Sequence, residues 1–178
     1  MHLSTFLSVF ALSGAQAFPG HLFSKRSSAT DATLYAYGTN ISGLPILYNA
    51  DNGGLYISAT NATIDGLQSI TWDIPSITEA STTTCTASMG NGTSPGGMHL
   101  NTTESGLTPV SIAPNATSGI TLYGTLLVYL SDSDFESKFW AQGAQINGED
   151  AYMVTWNEEN ASENGMTSLS IKTAAPSS

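Results

Sequence analysis

Apolar and polar residues alternate longest in GITLYGTLLVYLS, Gly119 to Ser131. Read with period two, this run puts Ile120, Leu122, Leu126, Val128 and Leu130 on one face, with Gly124 among them. Thr121, Tyr123, Thr125, Leu127 and Tyr129 take the other. The pattern predicts one long central strand with a buried face. Burying five such side chains contributes about 10 kcal/mol gross, at roughly 1.5–3 kcal/mol each. Shorter runs surround it. Thr33 to Gly38 alternates, with Leu34 and Ala36 on one face and Tyr35 and Tyr37 on the other, and Leu44 to Ala50 follows after an Asn40-Ile41-Ser42-Gly43 turn. Asp51-Asn52-Gly53-Gly54 predicts a hairpin, because Asn and Gly tolerate positive φ, with Leu55 to Ala59 returning. Asp65-Gly66 opens a strand over Leu67 to Ile74 with Ile70, Trp72 and Ile74 buried.

The stretch Pro75 to Pro114 is rich in Ser, Thr and Gly, and its apolar residues stand alone. Edge strands are expected at Thr82 to Met89 and Met98 to Thr102, a loop at Gly90 to Gly97, and a short strand at Val110 to Ala113. Asp132 to Gln142 fits either a turn or two of helix or a strand. Asn147-Gly148 marks a turn, Ala151 to Asn157 alternates Tyr152, Val154 and Trp156 on one side, and Thr167 to Thr173 supplies a closing strand. Eight to ten short strands joined by such turns predict an all-β fold: one antiparallel β-sandwich domain, jelly-roll-like or immunoglobulin-like, with little helix.

The first residues read differently. Leu3 to Leu12 is apolar and Ala15-Gln16-Ala17 follows, which predicts a secretory signal peptide over residues 1–17, cleaved after Ala17. The apolar run is too short to span a bilayer. Lys25-Arg26 stands in a short polar segment and resembles a dibasic processing site, so residues 18–26 are expected to be a propeptide and 27–178 the mature domain with its polar tail. Only Lys138 and Lys172 among the four basic residues lie in that domain, with all fourteen acidic ones; two positive against fourteen negative gives a net charge of −12. Such a surface repels nucleic-acid backbones and anionic membranes, so neither is an expected partner. The carboxyl end lacks an apolar anchor signal, which predicts a released, extracellular protein. Cys85 stands alone, so no intrachain disulfide forms and a buried thiol in a monomer is expected, with intermolecular pairing or a Cys85–His99 catalytic pair as the alternatives.

Candidate chemistry is sparse. Six Asn-x-Ser/Thr sequons, at Asn40, Asn61, Asn91, Asn101, Asn115 and Asn160, predict N-glycosylation. Acidic pairs at Asp132 and Asp134, Glu149-Asp150 and Glu158-Glu159 fit solvated turns, calcium ligands or the acid and base of a glycosidase, with no spacing that selects among them. Trp72 and Trp156 are in phase with apolar neighbours and are expected in the core. Trp140, between Lys138 and Gln142, is the candidate exposed aromatic on which a sugar ring could stack. No serine elbow, phosphate-binding loop, zinc spacing or dinucleotide fingerprint occurs, so no cofactor or metal is expected.

The blocks LYAYGTNISGLPILY, GITLYG, ESKFWA, YMVTWN and SIKTAAPS resemble a group of small secreted proteins of filamentous fungi with no established activity. Where those proteins carry a glycine-containing turn after the central strand, this chain has Asp132-Ser133-Asp134. The resemblance implies a secreted fungal protein and assigns no catalytic residue. A polysaccharide-binding or wall-associated role is the expectation. The alternatives are a small glycan hydrolase using a carboxylate pair, or an effector or elicitor acting by protein contact.

Overall fold

The computed structural model describes residues 27–60, 63–132, 134–162 and 165–177. The expected signal peptide and propeptide, with Ala17, Lys25 and Arg26, lie outside these residues, as does Asn61. The described chain forms sixteen strands and no helix. The first five are β1 (Ala29–Ala32), β2 (Tyr35–Gly38), β3 (Ile41–Asn49), β4 (Leu55–Ser58) and β5 (Leu67–Ile74). The middle of the chain gives β6 (Thr86–Met89), β7 (Gly96–His99), β8 (Leu107–Pro109) and β9 (Ser111–Ala113). Then come β10 (Ile120–Tyr123), β11 (Leu126–Ser131), β12 (Asp134–Glu136), β13 (Phe139–Ile146), β14 (Glu149–Asn157), β15 (Met166–Ser168) and β16 (Ser170–Lys172).

All pairings are antiparallel and continuous: β10-β11-β16-β2-β3-β4-β14-β13-β15, with β5 also on β3 and leading through β6 and β7 to β9. The leaves close on one core, an antiparallel β-sandwich in a single domain. Trp72, Ile74 and Met98 from one leaf meet Ile57, Val154 and Trp156 from another and Ile120, Leu122 and Leu127 from a third, all essentially inaccessible. Trp156 sits at the centre, edge-on to Phe139 at 5.1 Å and to Tyr129 at 5.9 Å.

Local turn chemistry accounts for the corners. Asn49 N donates to the Gly54 carbonyl and the Asn49 carbonyl accepts from Gly53 N across the turn, and Leu55 and Ile57 are fully buried on the return. Asn147 (φ 52°) and Gly148 (φ 85°) both take positive φ between Ile146 and Glu149. That is the type I′ geometry, whose twist matches the flanking strands.

Several expectations are corrected. The run at Gly119 to Ser131 is a hairpin, with Gly124 (φ 65°) and Thr125 forming a two-residue turn between the paired Tyr123 and Leu126. Such a turn shifts the side-chain phase by one residue. Leu127 and Tyr129 therefore face the core, and Leu126 and Leu130 turn outward, only partly buried. The first turn is Thr39-Asn40, one step earlier than expected, since Gly38 pairs with Ile41. β6 and β7 are interior strands, each paired on both sides. Of the two readings of Asp132 to Gln142 the strand holds, with β12 at Asp134–Glu136 and β13 starting at Phe139. The closing strand is broken at the buried Leu169, so that β15 pairs with β13 and β16 crosses to pair with β2 and β11.

Candidate functional site

Trp140 does not offer a stacking surface. It is 7% exposed, and its Nε1 donates to Asn160 Oδ1 at 3.3 Å. Phe139 and Trp140 point to opposite faces of β13, and both faces are covered at this end of the strand. The polar neighbour that suggested exposure, Lys138, spends its charge within the domain: Nζ is 3.1 Å from Glu136 Oε2 and 2.9 Å from Glu158 Oε1. Trp156 Nε1 donates to the other oxygen of Glu158 at 2.8 Å. Burial works against charge on Lys138, but its hydrogen bonds to Glu158 and Glu136 and their negative charges raise its pKa. Burial also opposes charge on Glu158; bonds from Lys138 and Trp156, with the lysine's charge, nonetheless hold its carboxyl below the usual range. These two carboxylates are a structural clamp around one ammonium.

The other acidic pairs are exposed turn or strand-end residues. Among the described residues no group of three or more His, Cys, Asp or Glu is placed to hold a metal. Cys85 is fully buried, and that burial, reinforced by the charge of Asp73, pushes its thiol pKa far up. His99 instead hydrogen-bonds Asn115 O at 3.1 Å and Thr117 Oγ1 at 3.4 Å.

Of the five described sequons, Asn40, Asn91, Asn115 and Asn160 are exposed at turns or loops. Asn101 is half-buried: its Nδ2 donates to Glu104 Oε2 at 2.7 Å and its Oδ1 accepts from Thr103 and Glu104. Asn91 Oδ1 accepts from the Thr93 hydroxyl of its own sequon at 2.6 Å.

A recess lies where the core-facing side of the β13–β14 hairpin runs past the core. Gly143 pairs with Tyr152 and Gln145 with Asp150, all four on that side. With Ala59 they line an open depression of about 530 Å³. A Cβ on Gly143 would meet nothing within 4 Å, so the space over that residue is open, beside its cross-strand partner Tyr152, which is partly buried against the core. Gln145 Nε2 donates to Asp150 Oδ1 at 3.3 Å, and both groups keep further hydrogen-bonding capacity toward solvent. None of the five described sequons lines this recess. Comparisons with protein-family models, with curated proteins and with solved structures returned no match. Nothing in the sequence marked the recess: Gly143, Gln145, Asp150 and Tyr152 become neighbours only through the β13–β14 register.

Proposed function

We propose that this chain is a secreted, N-glycosylated protein, akin to the small fungal secreted proteins it resembles, that binds extracellular polysaccharide in the β13–β14 recess without cleaving it. The observation that carries the reading is the vacant space over Gly143 beside Tyr152. Saccharides are held by aromatic faces that accept their C–H surface and by a few placed polar groups that bond their hydroxyls. Tyr152 supplies the first, and Gln145 with Asp150 the second. Asp150 is the one carboxylate lining the recess. A hydrolase needs two, so the hydrolytic alternative finds no support there.

The test is Gly143→Val. The position is an extended strand residue with open space around it, so a β-branched side chain fits the backbone and fills the recess. The melting temperature is expected to hold or rise, while retention of soluble glucan or chitin oligosaccharides on a glycan array falls at least tenfold. Equal retention by Gly143→Val and wild type sinks the reading, as does a wild-type protein that retains no glycan.

A further inference from the structure

Ser58 ends β4 on the side of the sheet that faces away from the core. Ile57 pairs with Ile46, and both are buried inside. Strand alternation therefore sends Ser58 to the opposite face, where Leu47 and its partner Ser69 also lie. A polar side chain on such a face is ordinarily solvated. Ser58 is 5% exposed, and its Oγ, closed to solvent, bonds no other group among the described residues. The turn into β5 brings apolar residues to the same place. Leu67 N donates to Ile64 O at 3.1 Å, and Ile64 is itself 2% exposed although it stands outside the strands.

Pro45, Leu47, Ile64 and Leu67, with Ser58 and Ser69, line a cavity of about 190 Å³. Pro45, Leu47 and Ser69 also wall a second one, of about 210 Å³, that reaches Ile46 and Ile70. Among the described residues no charged side chain lines either. Neither cavity shares a lining residue with the glycan recess.

These walls select a ligand class. An ion would lose its hydration with no counter-charge to replace it, so the ligand is neutral. A cavity of about 150 Å³ takes benzene, so the first holds roughly six to eight carbons. The shared wall lets a chain run on into the second. The Ser58 hydroxyl can both donate and accept, and rotation about χ1 alone directs it. Buried without a partner it is destabilising, and one neutral oxygen relieves it.

We propose that the paired cavities bind a neutral aliphatic alcohol of about eight carbons, its oxygen on Ser58 Oγ and its chain along Leu47. The site stands or falls separately from the glycan recess.

The experiment titrates 1-octanol and, separately, the octanoate anion into the secreted protein while NMR follows the methyl groups of Leu47, Ile64 and Leu67. 1-Octanol is expected to shift all three saturably, and octanoate to bind at least about tenfold more weakly. Ser58→Ala should weaken 1-octanol about tenfold, with the melting temperature unchanged or higher because an unpaired hydroxyl has gone. Ser69→Phe, at an exposed strand position common to both cavities, should abolish the shifts. Methyl groups indifferent to 1-octanol overturn the proposal, as do octanoate bound as tightly and a Ser58→Ala protein of unchanged affinity. A Ser58→Ala protein that melts several degrees lower shows a hydroxyl already held by a buried water, and overturns it too.

Discussion

Single residues set the first expectations. Trp140 is buried on the side of β13 opposite the core, so Trp140→Ala should cost about 3–5 kcal/mol. In a domain of this size that lowers the melting temperature by on the order of 10 °C. A shift within about 2 °C would return the ring to solvent. Cys85 should be unreactive toward a thiol reagent in the native protein and fully reactive in guanidinium chloride, because its thiolate is disfavoured by burial. Rapid native labelling would contradict that. The clamp around Lys138 brings a pH dependence. The Glu158 carboxyl lies below its ordinary 4.5 in the folded state, so the unfolded chain binds its proton first as the medium is acidified. Its contribution to stability is complete above pH 4.5 and is lost as pH falls through the folded value. Glu158→Gln should flatten the acid limb of a stability-against-pH curve; an unchanged limb counts against the clamp.

At the level of strands and turns, the corners were the legible part. Asn52-Gly53, Asp65-Gly66 and Asn147-Gly148 announce themselves because positive φ is cheap only for a few side chains, a property of the residue and not of its surroundings. Gly148→Ala, at φ 85° with nothing within 4 Å of the added Cβ, should therefore cost roughly 1–2 kcal/mol from backbone strain alone. An unchanged denaturation midpoint would contradict it. The Gly143→Val change on the neighbouring strand should cost nothing, although both remove a glycine. Gly124 was misread for the complementary reason. A glycine inside an apolar alternation fits a strand as well as a turn, and only the pairing of Tyr123 with Leu126 decides. The stretch from Pro75 to Pro114 was opaque because its contribution is scattered. Cys85, Ala87, Met98, Leu100, Val110 and Ile112 all enter the core, but they come as three alternating pairs, each too short to show which face is buried. Pairing likewise makes the recess and the Glu136–Lys138–Glu158 clamp, since Lys138 and Glu158 meet across twenty residues of chain. Polar flanks misled at Trp140, where Lys138 serves an internal ion pair.

Taken whole, the molecule is tied together by its last strand. β16 lies between β2 and β11 on the main path of the sheet, with Ile171 beside Ala36, while its companion β15 is on β13 across the break at Leu169. Tyr37 Oη donates to Ala174 O at 2.7 Å, and Pro176 packs where a side chain on Gly43 would stand. Almost the full length of the domain separates these partners in sequence. A nascent chain thus cannot complete this path of the sheet until β16 has emerged. The search for a partner so distant is slow, in the millisecond-to-second range typical of such topologies. A ribosome-bound chain stalled with Gly165 as its last exposed residue should be digested by protease, whereas one with Thr173 also clear of the exit tunnel should resist. Throughout elongation the Asn-x-Ser/Thr sites would be presented on unfolded polypeptide, open to a modifying enzyme before the strands lock them into turns.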